Sequence, residues 1–542
     1  GTFVVSGPAV IAEQLEAADA PERAECKFNF PVRPGGGLHT DVQLVAVPAG
    51  KPVTLASPAT FAAGPVRTRV QVSAAPGVQL AAAMEKLIGY PYGCVEQTSS
   101  KLMGLLYAAD VMDESRAGAV NEMIDAGIAR LWSMQTAMGG LGYWPGAAVA
   151  DEWGTTYAGT VLAEAKAAGH KVDPRMIDPL VKYLQSVLRA PETKDTDLNV
   201  RAAACRVLAV FGKPAEGWMA HLAECKDKLD LAGRVDLAAA FHAIGRKDRA
   251  SGLLPDQPTS VGRSTGQRLV SQVRAEGMWL LMLLENDAQN PLIAQLAGRL
   301  EQARQGNPWW GTTLDNAAAV AALSRYQATM AGKAVPNFVG TVRIGQEEPV
   351  AFTHAKGATA RSQAGGDVVI AAQGTGVVYA VVTREGLAAE GVVKPYDREL
   401  TVRRQWVDAA GKSVDPNTLR VGDLVYVEVT LDRPGGADLH NIAIVDALPG
   451  AMEVENPALA TSSSVARRGE ADGTSDTPDH VEFLDDRVVI FCGVTQKQSA
   501  DFRYALRVTT AGQFALPPIQ ASCMYDPAAA SMGEGGRVKA EK

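Results

Sequence analysis

The chain is poor in several things at once. Its 542 residues include only six cysteines and seven histidines. Nowhere do about 18 apolar residues follow one another, the length a helix needs to cross a bilayer, so no membrane-spanning helix is expected. Six cysteines in so long a chain make no disulfide scaffold, and their spacing fits no zinc pattern. No metal or cofactor is expected. Neither sign of charge dominates: 52 Lys and Arg against 60 Asp and Glu leave a net charge of −8, which argues against a nucleic-acid partner and says little else. The chain starts at Gly1 without Met, signal peptide or lipidation signal, as expected of a mature product or a fragment. What is present is a globular composition, 47% hydrophobic and 21% charged, sufficient for three or four domains.

Cys205 with Cys225 falls in one helical region, and Cys492 with Cys523 in the last β region. Each pair is a candidate disulfide in an oxidising compartment; the alternative is four buried thiols behaving as small hydrophobes. Cys26 and Cys94 remain.

From Cys26 to about Ala74, "KFNFPVRP", "DVQLVAV", "PVTLA" and "VRTRVQVSA" alternate apolar and polar residues, which predicts an antiparallel β unit. Near Gly77 the period becomes helical and stays so to about Gly332, in segments such as "QLAAAMEKLIG", "TTYAGTVLAEAKAAG" and "TLDNAAAVAALSRYQ". About a dozen helices with short connections predict helix hairpins closed into an α/α toroid. An open solenoid is the alternative, but its repeats should look alike and these do not. The β pattern returns at 335–391, and a further region at 392–542 has seven or so strands at the spacing of an immunoglobulin-like sandwich. Residues 460–479, rich in Ser, Gly and Asp, are expected to form a mobile loop. If 26–76 and 335–391 make one domain, the helical block 77–334 is inserted into it, and residues 1–25 are a linker or the tail of a preceding domain.

The chemistry concentrates in "YPYGCVEQTSS", Tyr90 to Ser100. Cys94 stands at the entry to a helix, where free N–H groups and the helix dipole favour a thiolate. Gln97, three residues on, shares its face. Attack of the Cys94 thiolate on the Gln97 carboxamide, with loss of ammonia, closes a ring of roughly fifteen atoms and yields an internal thioester. Such a bond is an acyl donor to any amine or hydroxyl that reaches it, and it survives only where water is kept out. Four residues of C-x-E-Q pattern are also compatible with a packed cysteine and an exposed glutamine.

The longer string narrows the reading. "PYGCVEQ", with Gly93 and Glu96 in the motif, resembles the thioester signature of the alpha-2-macroglobulin and complement superfamily, in the form of its bacterial branch, which allows an aliphatic residue at the place of Val95. "GGLGYWPG" with "WGTTYAGTVLAEAKAAGH", and "WWGTTLDNAAAVAALSRY", resemble segments of the thioester domain, although Gly154 departs from the usual Leu. "NIAIVDALPGAMEVENP", "FLDDRVVIF" and "PPIQASCMYDP" resemble the C-terminal sandwich of bacterial members. The likeness runs from about Cys26 to the end. It implies a multidomain α and β chain: a toroidal thioester domain inserted in a CUB-like β domain, then a macroglobulin-type antiparallel β-sandwich, forming the C-terminal portion of a larger protein.

The resemblance also implies a single-use inhibitor of endopeptidases. Cleavage of a bait upstream exposes the thioester, a lysine of the protease is acylated through Gln97, and Cys94 leaves as a thiol. Partners are then target proteases and the upstream macroglobulin and bait domains; the compartment implied is the bacterial periplasm, with the parent either free there or lipid-anchored at the inner membrane. Where some complement members carry an activating histidine, the matching stretch has Asn199, so direct attack by amines is expected; His170, His221 and His242 are more often structural. A shield is expected from Tyr90, Tyr92, Trp153, Met524 and Tyr525. Competing readings are a toroidal glycoside hydrolase or lyase using Asp151 and Glu152, a cysteine hydrolase, and an interaction module that never forms the thioester.

Overall fold

A computed structural model of the chain describes residues 38–74, 77–108, 117–191, 193, 197–305, 307–330, 336–389, 394–455, 476–496 and 499–542. Cys26, the segment 1–25 and most of the loop expected at 460–479 lie outside the described residues.

The helical block begins repeatedly at side chains that can cap a helix. Asp151, Asp173, Asp197, Asp230 and Ser271 each accept a hydrogen bond from a backbone N–H of the first turn they precede. Twelve α-helices are formed among the described residues: α1 (Val78–Ile88), α2 (Val95–Ala108), α3 (Ala117–Ser133), α4 (Glu152–Ala167), α5 (Pro174–Arg189), α6 (Leu198–Val210), α7 (Glu216–Glu224), α8 (Leu231–Ala243), α9 (Lys247–Ser251), α10 (Gln272–Asn286), α11 (Leu292–Ala303) and α12 (Thr313–Met330). Two kinds alternate. In α5 only a stripe is buried, Met176, Ile177, Leu180, Val181, Leu184 and Leu188, whereas in α10 every residue from Arg274 to Leu283 is. A helix buried all round must have neighbours all round. The even-numbered helices supply them: α2 packs on α4, α4 on α6, α6 on α8, α8 on α10, α10 on α12, and α12 returns to α2. The ring is closed, which an open solenoid would not be. No helix among the described residues is long and apolar enough to cross a membrane.

Strands from before and after this ring share sheets. β1 (Leu38–Pro48), β2 (Val53–Leu55) and β3 (Arg67–Ser73) precede it; β4 (Asn337–Ile344), β5 (Val350–Thr353), β6 (Ala358–Ser362), β7 (Val368–Thr375) and β8 (Val377–Leu387) follow it. They are ordered β1-β8-β3-β6 and β2-β7-β4-β5. β1 and β8 run antiparallel in register from Leu38 opposite Leu387 to Pro48 opposite Val377. Val47, Val70, Val72, Phe338, Ile370 and Val378 meet in the core of this unit. The helical ring is thus an excursion between two neighbouring parts of one β unit.

The C-terminal region packs a four-stranded sheet (Thr401–Val407, Leu424–Asp432, Ala500–Val508, Met452–Val454) against a six-stranded one (His480–Phe483, Arg487–Val494, Leu439–Ala447, Gln520–Cys523, Asp526–Met532, Tyr396–Arg398), with a further three-stranded sheet. The period of two along a strand divides the six-stranded sheet. Ile442, Ile444, Val488, Ile490 and Cys492 face the sandwich interior, whereas Ala443, Val489 and Phe491 face the helical ring and join its core. One sheet thereby serves two cores, and the sandwich is docked on the ring through alternate residues.

The same parity corrects the expected disulfides. Cys492 and Cys523 both register with Ile442, from strands on opposite sides of it. Two strand spacings are about 9.5 Å, beyond the roughly 7 Å that a disulfide spans between Cα atoms. Cys205 is buried in α6, and Cys225, at the end of α7, donates its thiol to His221 O at 3.2 Å. All four are free thiols, behaving as small buried hydrophobes or weak donors.

Candidate functional site

The helix α1 stops at Gly89, whose N–H still reaches Glu85 O, and the chain then runs through Tyr90, Pro91, Tyr92 and Gly93 to the start of α2. Cys94 O accepts from Thr98 N–H at 3.0 Å, the first hydrogen bond of that helix. Val95 N–H is held by Tyr143 O at 2.9 Å, from the glycine-rich loop before α4. Every residue from Cys94 to Ser100 is buried, polar ones included.

Cys94 and Gln97 face one another. Cys94 N–H donates to Gln97 Oε1 at 3.1 Å, and Gln97 N–H donates to Cys94 Sγ at 3.5 Å. The carboxamide carbonyl is therefore polarised by a backbone donor while its residue's own N–H points at the sulfur. The far side is closed by the turn after Gln520–Cys523: Gln97 Nε2 donates to Met524 Sδ at 3.1 Å, and Tyr525 Oη lies 3.6 Å from Cys94 Sγ. That turn is fixed by Met524 N–H to Asn441 O at 2.9 Å and by Arg263 to Tyr525 O at 2.5 Å.

The thiolate expected from the helix N-terminus is corrected by burial. The Gln97 N–H does pull the thiol pKa down, but desolvation is larger and the Glu96 charge adds to it, so the Cys94 thiol is pushed up to about 12. In this closed arrangement the sulfur is a protonated thiol. Glu96 is likewise held above the usual carboxylate range, by desolvation first and against the pull of its hydrogen bonds.

The remaining expected positions make contacts of their own. Tyr90 and Tyr92 are half-buried and meet edge to face with centroids 5.5 Å apart, and Tyr92 continues edge-on to Phe491 at 5.0 Å. Trp153 is buried against Tyr157 at 5.5 Å, with the Arg274 guanidinium over its ring at 5.7 Å. Asp151 is the N-cap of α4, accepting from Gly154 N–H at 2.5 Å, and Glu152 is exposed. Asn199 accepts from Asp230 N–H, His170 faces Asp125, His221 meets Trp218 and His242 bonds Asn286. The thiol's side-chain partners are two tyrosines, Tyr525 and Tyr143, with no histidine among them in the described residues.

Sequence reasoning singled out the segments but missed several residues in them. Tyr143 donates to Tyr525 Oη at 3.1 Å. Trp144 stacks on His480 at 4.5 Å and leans on Phe491 at 4.3 Å. Ser100 and Thr313 donate to Glu96. The parity of "RVVIFCG" was the available signal for Phe491, since Val489 and Phe491 must leave the sandwich on the side opposite Ile490.

Comparisons with known proteins agree with this arrangement. Residues 400–528 match the family model described as the bacterial alpha-2-macroglobulin MG10 domain. The chain is 27% identical over 495 residues to an alpha-2-macroglobulin of Escherichia coli, covering 84% of this chain and 29% of that protein. With an alpha-2-macroglobulin of Xylella fastidiosa it shares 25% identity over 567 residues, 98% of this chain and 34% of that one. The structure of Salmonella alpha-2-macroglobulin reacted with methylamine superposes with a TM-score of 0.77 at 24% identity, over 99% of this chain and 35% of that one. The helical ring between paired sheets and the docked sandwich are thus an alpha-2-macroglobulin-like fold. Within that class the chain is similar to the bacterial alpha-2-macroglobulins, and it spans about a third of the length of the curated relatives it matches.

Proposed function

We propose that this chain carries the covalent-capture machinery of a protease-trapping alpha-2-macroglobulin of the bacterial periplasm. In this reading the helical ring is a toroidal thioester domain, the two mixed sheets are the CUB-like domain into which it is inserted, and the C-terminal region is a macroglobulin-type sandwich. One observation carries the proposal: Cys94 and Gln97 are mutually hydrogen-bonded in a fully enclosed site whose cover, Met524 and Tyr525, belongs to a different domain. A reactive acyl donor requires such a cover, and a cover from a separate domain can be withdrawn.

Closure joins Cys94 Sγ to the Gln97 side-chain carbonyl carbon and releases the amide nitrogen as ammonia. Capture reverses the polarity. A lysine amine of a target protease attacks the same carbon, an amide forms, the C–S bond breaks, and the sulfur keeps the electron pair and leaves as the thiol. The bond is consumed once, which makes the protein an inhibitor and not a turnover catalyst. Asp151 serves as a helix cap and Glu152 is exposed, so the pair is poorly placed for glycoside hydrolysis. The test is intact mass. The chain as isolated should weigh one ammonia less than its sequence, and methylamine should add its own mass while releasing one thiol, titrated after denaturation. Full sequence mass together with inertness to methylamine would overturn the proposal.

A further inference from the structure

Glu96 has no step in the chemistry above, yet its carboxyl is fully buried beside the reacting pair. An unpaired carboxylate there would be costly, and three hydroxyls hold it. Ser100 donates to Oε1 at 2.5 Å, Thr313 to Oε2 at 2.8 Å, and Tyr525 Oη to Oε2 at 2.6 Å. A tyrosine has one proton to give. Because Tyr525 gives it to Glu96, its oxygen is an acceptor toward its other neighbours, Tyr143 Oη at 3.1 Å and Cys94 Sγ at 3.6 Å. The hydrogen bonds therefore run one way, from thiol through phenol to carboxylate.

We propose that Glu96 is the proton acceptor for thioester closure, reached through the Tyr525 hydroxyl, which conducts the proton of the Cys94 thiol to it. The inference rests on the thioester reading above. As the S–H proton passes to Tyr525 Oη, the proton of that hydroxyl passes to Glu96 Oε2. The sulfur attacks the Gln97 carbonyl carbon while Cys94 N–H holds Oε1 at 3.1 Å. The C–N bond then breaks with its electron pair going to nitrogen, and the proton lent to Glu96 leaves on that nitrogen as part of ammonia. Thiol plus carboxamide give thioester plus ammonia, with no further reactant. Burial supplies the need for a relay: the enclosed thiol is protonated at neutral pH, and bulk base does not reach it.

The relay has a consequence for assembly. Tyr525 belongs to the C-terminal sandwich, so the conduit is complete only once the sandwich is docked on the ring. The labile bond is then made under its own cover. Around Glu96, the ionisable groups on other elements are Asp315 of α12, Tyr157 of α4, Tyr143 and Tyr90, with Arg263 at 3.5 Å from Asp315 and Arg274 over the Tyr157 ring at 5.3 Å.

Tyr525→Phe keeps the ring and removes the conduit; Glu96→Gln keeps the shape and removes the acceptor. The chain is opened with ammonia, which restores Gln97 and the thiol, then unfolded, freed of ammonia and refolded while the loss of one ammonia is followed by mass. Both variants should close about a hundredfold more slowly than wild type, as expected for loss of general acid–base assistance. The solvent isotope effect on closure should disappear. The lifetime of the thioester once formed should change by less than about threefold, since the phenyl cover remains. Closure at the wild-type rate in Tyr525→Phe and Glu96→Gln overturns the relay. So does slow closure matched by an equal loss of lifetime, which would make Tyr525 a shield alone. The mass of the wild type as isolated decides the thioester reading separately: if no ammonia is missing there, that reading fails and the relay with it.

Discussion

Cys94 and Gln97 stand three residues apart at the first turn of α2, whereas Met524 reaches Gln97 from 427 residues away, on a turn of the C-terminal sandwich. The local half is held by backbone donors that any helix start provides: the Cys94 and Gln97 N–H groups. The distant half is held by packing of one sheet face on the helical ring. The first half forms wherever α2 forms; the second only where ring and sandwich have both folded and met. If the proposed function holds, a site divided in this way is unlocked by withdrawing the sandwich turn without disturbing Cys94 and Gln97.

The two halves separate under mutation. The largest effect is expected from Cys94→Ala, which leaves the cover intact but should abolish both the missing ammonia and the methylamine-released thiol, as read by intact mass. Next comes Tyr525→Ala, which removes ring and hydroxyl together. It should cost about 3 kcal/mol of ring–sandwich docking and shorten the thioester lifetime at least about tenfold, measured by thiol release in buffer. A retained lifetime would show that the distant half is dispensable as a cover.

A smaller effect tests the local half. A Cβ at Gly154 would lie 2.5 Å from Val95 Cγ1 and 2.9 Å from Asp151 Oδ1, so Gly154→Leu should destabilise the ring by about 1–3 kcal/mol in denaturant unfolding. Val95→Gly should recover part of that loss in the double variant, because the two side chains compete for one space. The smallest effect belongs to Tyr92→Ala, which loses the edge contact with Phe491. About 1 kcal/mol beyond the buried area is expected, read as a modest fall in melting temperature with faster thiol release. Unchanged thiol release would remove Tyr92 from the shield.

Much of this was legible in the chain. The switch from alternating to helical period near Gly77 and back near Val335 is local patterning, and in the structure strands from both sides of the helical block share sheets. The motif placed Cys94 before a helix and Gln97 on its first turn. Val95, the aliphatic residue that the bacterial form of the motif allows, and Gly154, which departs from the usual Leu, look independent in sequence and are one packing event in space. The disulfide pairs failed because cysteine spacing carries no information on strand order: Cys492 and Cys523 are separated by the strand that carries Ile442. The thiolate failed because a helix start acts at short range, whereas desolvation depends on everything folded above it.

By itself, then, the sequence determined the elements, their order and the nucleophile–carboxamide pair, because each depends on residues a few positions apart. Only the tertiary structure decided that the ring closes from α12 back onto α2, that alternate residues of one sheet divide between two cores, and that Tyr525 sits between Cys94 and Glu96. Those outcomes depend on which surfaces meet and how much water they exclude, and the ionisation of a buried group follows from that exclusion.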